Sequence, residues 1–253
     1  MREIVLAVKG EYIKIKTDFT YWIICIIPIL YTFAMAIVIV MDDDLPVVDF
    51  WKYFANDVSM FYAIIYPALI ALAVYHNVDM EIKNHTNKFL FCLPISHKKL
   101  YFAKSALLFV FYTASMIIAY LSFLLSVFAL KQISPVVSEG LLKYNSHYVI
   151  NLFFIKSYLL LIPLIFFLQA ICLYLPKIWF PTSIAFSMYI AGLFAFNSEY
   201  WYTLPNASLT RLAWIELRHG QIALFDKSVM LTIIYTIFFA CIGYIPFKKL
   251  KYR

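Results

Sequence analysis

Glycine is scarce in this chain. Its five glycines, Gly10, Gly140, Gly192, Gly220 and Gly243, stand far apart in 253 residues, so a Walker-type phosphate loop cannot be built from them. Charge is scarce too: 14% charged against 64% hydrophobic residues leaves too little polar stock to cover a soluble globule, and the chain belongs in a bilayer. Cys25, Cys92, Cys172 and Cys241 show neither a disulfide framework nor a metal-like spacing, and read as small packing residues. No H-E-x-x-H, G-x-S-x-G or pair of intramembrane aspartates is present, so no enzyme chemistry is expected. His76, His85 and His97 share one connection, at spacings that suit no familiar metal site.

Six apolar runs are present instead, at about 19–41, 58–78, 102–130, 157–175, 178–197 and 228–247. Crossing about 30 Å of hydrocarbon takes roughly 20 apolar residues, and backbone groups in lipid must pair within their own segment. The expected fold is therefore an all-α integral membrane protein, 1–253 forming a single transmembrane domain. The first run ends in Asp42, Asp43 and Asp44 rather than a small-x-small cleavage site, and reads as an anchor rather than a cleaved signal. Ahead of it, Ile4, Val8, Tyr12, Ile15 and Phe19 recur at helical spacing with Lys9 and Lys16 on another face, which predicts an interfacial elbow helix over 1–18.

Of the 21 basic residues, fourteen fall on the side of the two termini, the connection after the second run and Lys177. The positive-inside rule puts that side in the cytoplasm of a bacterial cell. The net charge of +7 is then an inner-face property matched by anionic membrane lipids, with no nucleic acid needed to explain it.

Near mid-membrane the spans carry no acidic or basic residue, whereas an ion-coupled carrier keeps one there at a cost of ~3 kcal/mol or more. The polar candidates for a substrate path are Gln169 in the fourth run and Asn197 at the end of the fifth. Ser115, Ser122 and Thr232 read as helix-to-helix or helix-to-backbone bonds. Prolines recur within or beside five runs, at Pro28, Pro67, Pro163, Pro181 and Pro246, where each can kink a helix. Between the fifth and sixth runs, a start at Asn206 or Ser208, apolar Leu209, Leu212, Ala213 and Leu217, and a stop at Gly220 predict a short re-entrant helical segment with Trp201, Tyr202 and Trp214 as interfacial anchors.

The connection 81–104 reads E-I-K-N-H-T-N-K-F-L-F-C-L-P-I-S-H-K-K-L-Y-F-A-K. Thr86, Phe89, Leu90 and Leu93 form one apolar stripe, Pro94 ends that helix and Ser96 begins the next. A membrane protein that turns such a helix toward the cytosol presents a hold for a soluble partner. The whole order, an elbow, six spans, this cytosolic helix over 81–95 and a re-entrant stretch before the last span, resembles the permease subunit of an ABC-2 type exporter. Glu81, Thr86, Pro94, Ser96 and Lys104 fall where that family shows Glu, Gly-Thr, Pro-x-Ser and Lys, with His85 in place of the glycine. The Glu11-Tyr-Ile-Lys14 approach, the Leu-Pro-Ile-Ser stretch and richness in Ile, Phe, Tyr, Lys and Asn are similar to the lantibiotic-immunity and peptide-toxin exporters of Gram-positive bacteria. That resemblance implies two copies of a separate ATPase on the 81–95 helix, with ATP and Mg bound there and no cofactor in this chain. It also implies a second permease, identical or homologous, and an amphipathic peptide substrate. A non-transporting immunity or scaffold protein, and an exporter of a lipid or small-molecule drug, are the alternatives.

Overall fold

The computed structural model describes residues 8–10, 12, 13, 18–41, 49–83, 96–144, 146–175 and 177–249. Every regular element among them is helical: α1 Phe19–Val40, α2 Phe50–Lys83, α3 His97–Ile133, α4 Pro135–Lys143, α5 His147–Tyr174, α6 Trp179–Ala195, a 3₁₀ turn Trp201–Thr203, α7 Pro205–Arg211, a π turn Leu212–Glu216, α8 Leu217–His219 and α9 Lys227–Lys249. Five of them, α1, α2, α3, α5 and α9, are long and apolar enough to cross a membrane. The fifth expected run is the shorter apolar helix α6, whose 17 residues reach roughly 25 Å. Of the expected elbow over 1–18, residues 8–10, 12 and 13 are helical, and all the rest except Asp18 lie outside the described residues.

Helices alternate in direction, so the bundle has two ends. The proximal end carries Asp18, the close of α2 and the start of α3; the distal end carries the α1–α2, α3–α5 and α6–α9 connections. Several helices overrun their expected bounds. α2 begins at Phe50 and α5 at His147, because Phe50, Phe54 and Ala55 in one and Ile150, Phe153 and Phe154 in the other bury against protein rather than lipid. α4 was not expected. Ser134 caps it through a bond from the Val137 N–H, and Pro135 takes its first turn, where no N–H is needed.

The core is aromatic. α2 lies centrally, 67% buried over its apolar window, against 28% for α1 and 22% for α9 at the periphery. Phe54 stacks on Phe123 of α3 at 5.0 Å, and Tyr112 on Tyr158 of α5 at 5.2 Å. Buried tyrosines also deliver hydroxyls to neighbouring helices: Tyr66 donates to the Ser115 carbonyl and Tyr112 to the Tyr158 carbonyl, both at 3.1 Å. A ring buries a large apolar area while its hydroxyl ties backbone to backbone, a combination suited to a lipid-surrounded core. At the proximal end Asp18 caps α1 by accepting from the Thr20 N–H at 2.9 Å and pairs with His76 of α2. Burial pushes the Asp18 carboxyl up, yet these hydrogen bonds outweigh it and hold the group below its ordinary value.

Two glycines set helix spacing. A Cβ on Gly192 of α6 would lie 3.0 Å from the Asn206 backbone, so glycine lets α6 meet the start of α7 backbone to backbone. A Cβ on Gly243 of α9 would collide with the Tyr101 hydroxyl of α3.

Candidate functional site

Of the expected coupling residues, Glu81, Ser96 and Lys104 fall within the described residues. Glu81 lies in the last turns of α2. Thr86, Phe89, Leu90, Leu93 and Pro94 lie outside the described residues. Ser96 is exposed at the N-cap position of α3, as expected, although its side chain makes no capping bond. Lys104 is 3% exposed, two turns into α3, so this base is drawn into the bundle rather than offered to solvent.

The two expected path residues are not brought together. Gln169 is buried near the proximal end of α5 and accepts a bond from Ser105 of α3 at 2.9 Å, beside Lys104. Asn197 is exposed in the turn after α6, at the distal end. Gln169 therefore acts here as a tie between α3 and α5.

One constellation escaped the sequence reading. Lys156 is wholly buried on α5, and its Nζ donates to Glu216 Oε2 and Asp226 Oδ2, both at 2.7 Å. The expectation that span interiors carry no ionisable group is corrected by this lysine, with Asp79 and Lys104 also buried inside span helices. The reason is the boundary: with α5 set to begin near 157, Lys156 counted as a loop residue. Its neighbours Phe153, Phe154 and Ile155, apolar on the N-terminal side as well, were the signal that the helix had already begun.

Each partner of Lys156 comes from a different part of the distal connection. Glu216 closes the π turn, while Asp226 is the N-cap of α9, its Oδ1 accepting from the Val229 N–H at 3.0 Å. Burial pushes Glu216 up, and it stays above its ordinary value although the Lys156 ammonium pulls it down. Burial also pushes Asp226 up, but the Lys156, Ser228 and Val229 bonds prevail and hold it below. The cluster thus binds α5, the π turn and the head of α9 into one clamp. Around it, Ser59 of α2 lies 3.4 Å from the Ala213 carbonyl, Arg211 donates to the Phe196 carbonyl at 3.2 Å, and Gly220 ends α8 in the left-handed conformation at φ 70°. The predicted stop at Gly220 is thereby observed, and the helix start falls at Pro205, one residue before the expected Asn206.

Apolar helices of membrane length around an aromatic core, with the distal connection folded back and clamped to the bundle, define a multi-pass helical membrane protein. The chain belongs to the ABC-2 family of transporter proteins: the family model described as "ABC-2 family transporter protein" matches residues 7–197. It is thus a membrane component of an ABC transporter, a class that works with an ABC ATPase. No curated protein matches it.

Proposed function

We propose that this chain is the permease subunit of an ATP-driven exporter that moves amphipathic antimicrobial or toxin peptides out of the cell or its membrane. The observation that carries the reading is family membership across 7–197, a stretch that contains the Glu81, Thr86, Pro94, Ser96 and Lys104 pattern. Two permeases, identical or homologous, form the path. Two ATPase subunits dock on the 81–95 segment and bind the ATP and Mg, while this chain holds no cofactor and catalyses nothing itself. The proximal end faces the cytoplasm with both termini, and the distal clamp faces outward. A peptide substrate is supported by the resemblance to lantibiotic-immunity exporters and by the 19% aromatic content, which offers apolar peptide faces a surface to rest on.

Orientation is tested with single cysteines at positions 88 and 214 in a cysteine-free background. An impermeant thiol reagent added to intact cells should label position 214 and spare position 88; labelling of position 88 overturns the topology. Function is tested by kill curves with lantibiotics and helical toxin peptides, using cells that express the chain with its ATPase or with an ATPase lacking its catalytic glutamate. Protection should need the active ATPase. Protection that persists with the dead ATPase would point to a passive immunity protein, and no difference with any peptide would point to a lipid or drug substrate.

A further inference from the structure

α6 and α9 both lie against α5 without packing closely on each other. The cleft between them holds a cavity of about 250 Å³, floored by Pro163 and Phe167 of α5, walled by Met188 of α6 and by Tyr235 and Phe239 of α9, and roofed by residues 203–205. The flanking surfaces are apolar and exposed, with Phe186 on α6 and Ile234 and Phe238 on α9, so the medium at the cleft mouth is lipid.

Two features decide what fits. First, the cavity is lined almost wholly by apolar side chains, and the Tyr235 hydroxyl already spends its proton on the Thr203 carbonyl at 2.9 Å. A peptide backbone entering there would leave most of its N–H and C=O groups unpaired in a dry site, whereas an acyl chain has none to satisfy. Second, the distal rim is cationic. Lys227 lies 5.6 Å over the Tyr202 ring, and the Arg211 guanidinium 4.6 Å over Trp201. Lys227 is exposed and in no ion pair among the described residues, and Arg211, whose charge is also felt by Glu216, spends only Nη1 on a hydrogen bond, to the Phe196 carbonyl. Along α9, Lys227 stands roughly 12 Å from Tyr235, the reach from a phosphate through glycerol to the upper part of an acyl chain.

We propose that this cleft binds one anionic membrane phospholipid, an acyl chain filling the cavity and the phosphate engaging Lys227 and Arg211. The full chain is placed in nanodiscs of phosphatidylcholine and phosphatidylglycerol carrying a phosphatidylglycerol probe with a diazirine in its acyl chain, and cross-links are mapped by mass spectrometry. Labelling should concentrate several-fold on residues 163–167, 203–205 and 235–239 relative to the exposed face of α1. Met188→Trp, which fills the cavity, should lower that labelling at least threefold. Lys227→Glu, a surface change that leaves packing alone, should lower it for this probe and not for its phosphatidylcholine counterpart. Labelling as dense on α1 as in the cleft, or indifferent to Met188→Trp, overturns the site. Equal effects of Lys227→Glu on both probes overturn the charged half. Cross-links from the cleft to a second copy make it a protein interface, and displacement by a helical toxin peptide but not by unlabelled phosphatidylglycerol makes it a peptide site; either sinks the lipid assignment. The readout involves neither ATPase nor transport, so its outcome is independent of the exporter reading.

Discussion

Replacing Lys156 by methionine isolates the distal clamp. The change keeps an unbranched apolar stem, one atom shorter, but leaves Glu216 and Asp226 facing each other with their cation gone. Removing one member of a buried ion pair costs about 3–5 kcal/mol, mostly for the charge left behind. Here the two carboxylates retain 13% and 19% side-chain exposure, so water and proton uptake relieve part of the repulsion, and the lower end of that range is expected. At about 2–4 °C per kcal/mol for a chain of this size, the unfolding temperature should fall by roughly 6–12 °C. Cys172 is fully buried and reports unfolding through a thiol-reactive fluorophore, once Cys25, Cys92 and Cys241 are alanine. The triple variant Lys156→Met, Glu216→Gln, Asp226→Asn leaves no uncompensated charge and should lose less than half as much. A single variant that melts within about 1 °C of the parent, or a triple variant that melts below the single one, would refute the argument.

The same clamp sets a pH dependence. Glu216 is raised, so its contribution is full in acid and lost as pH rises through its folded value; Asp226 is lowered, so its contribution is present at neutral pH and lost only as pH falls through its depressed value. Unfolding temperature should rise modestly as pH falls from neutrality toward the ordinary glutamate range and decline as pH falls further through the depressed Asp226 value, and Glu216→Gln should remove the rise while keeping the decline. Gly243→Ala should destabilise by pushing against Tyr101, whose hydroxyl is buried without a partner; Tyr101→Phe should be near neutral alone and restore most of the loss in the double variant, and an unchanged melt of Gly243→Ala would show that α9 shifts freely. Phe89→Asp or Leu90→Arg should abolish ATPase co-purification with membrane insertion intact, since a charge in a desolvated groove costs several kcal/mol; normal co-purification in both would remove that stripe from the interface.

Hydropathy found the helices because lipid selects for apolar runs, and it misplaced their ends because protein does not. The head of α2 reads as a polar loop, with Lys52, Asn56 and Asp57 in it, yet Phe54, Ala55 and Val58 on its other face fill the core. The helical segment before α9 was legible down to its glycine stop, because helix ends carry local chemistry that needs no knowledge of neighbours. Lys156 was not: its partners stand 60 and 70 residues away, and only folding reveals that a base followed by an apolar run has been neutralised across that distance. Gln169 illustrates the converse, a polar residue rightly singled out whose bond to Ser105 makes it a brace.

The lengths of α2 and α3 have a mechanical consequence. At 34 and 37 residues they measure roughly 51 and 55 Å, well over the ~30 Å of hydrocarbon, and both leave the same proximal junction. α3 contains no proline and behaves as an unbroken rod, whereas α2 has its one interior proline, Pro67, near mid-length. The two longest helices therefore differ in stiffness: α3 keeps an unbroken ladder of backbone hydrogen bonds from one end to the other, while α2 lacks the bond that an N–H at Pro67 would make and is weakest at its middle.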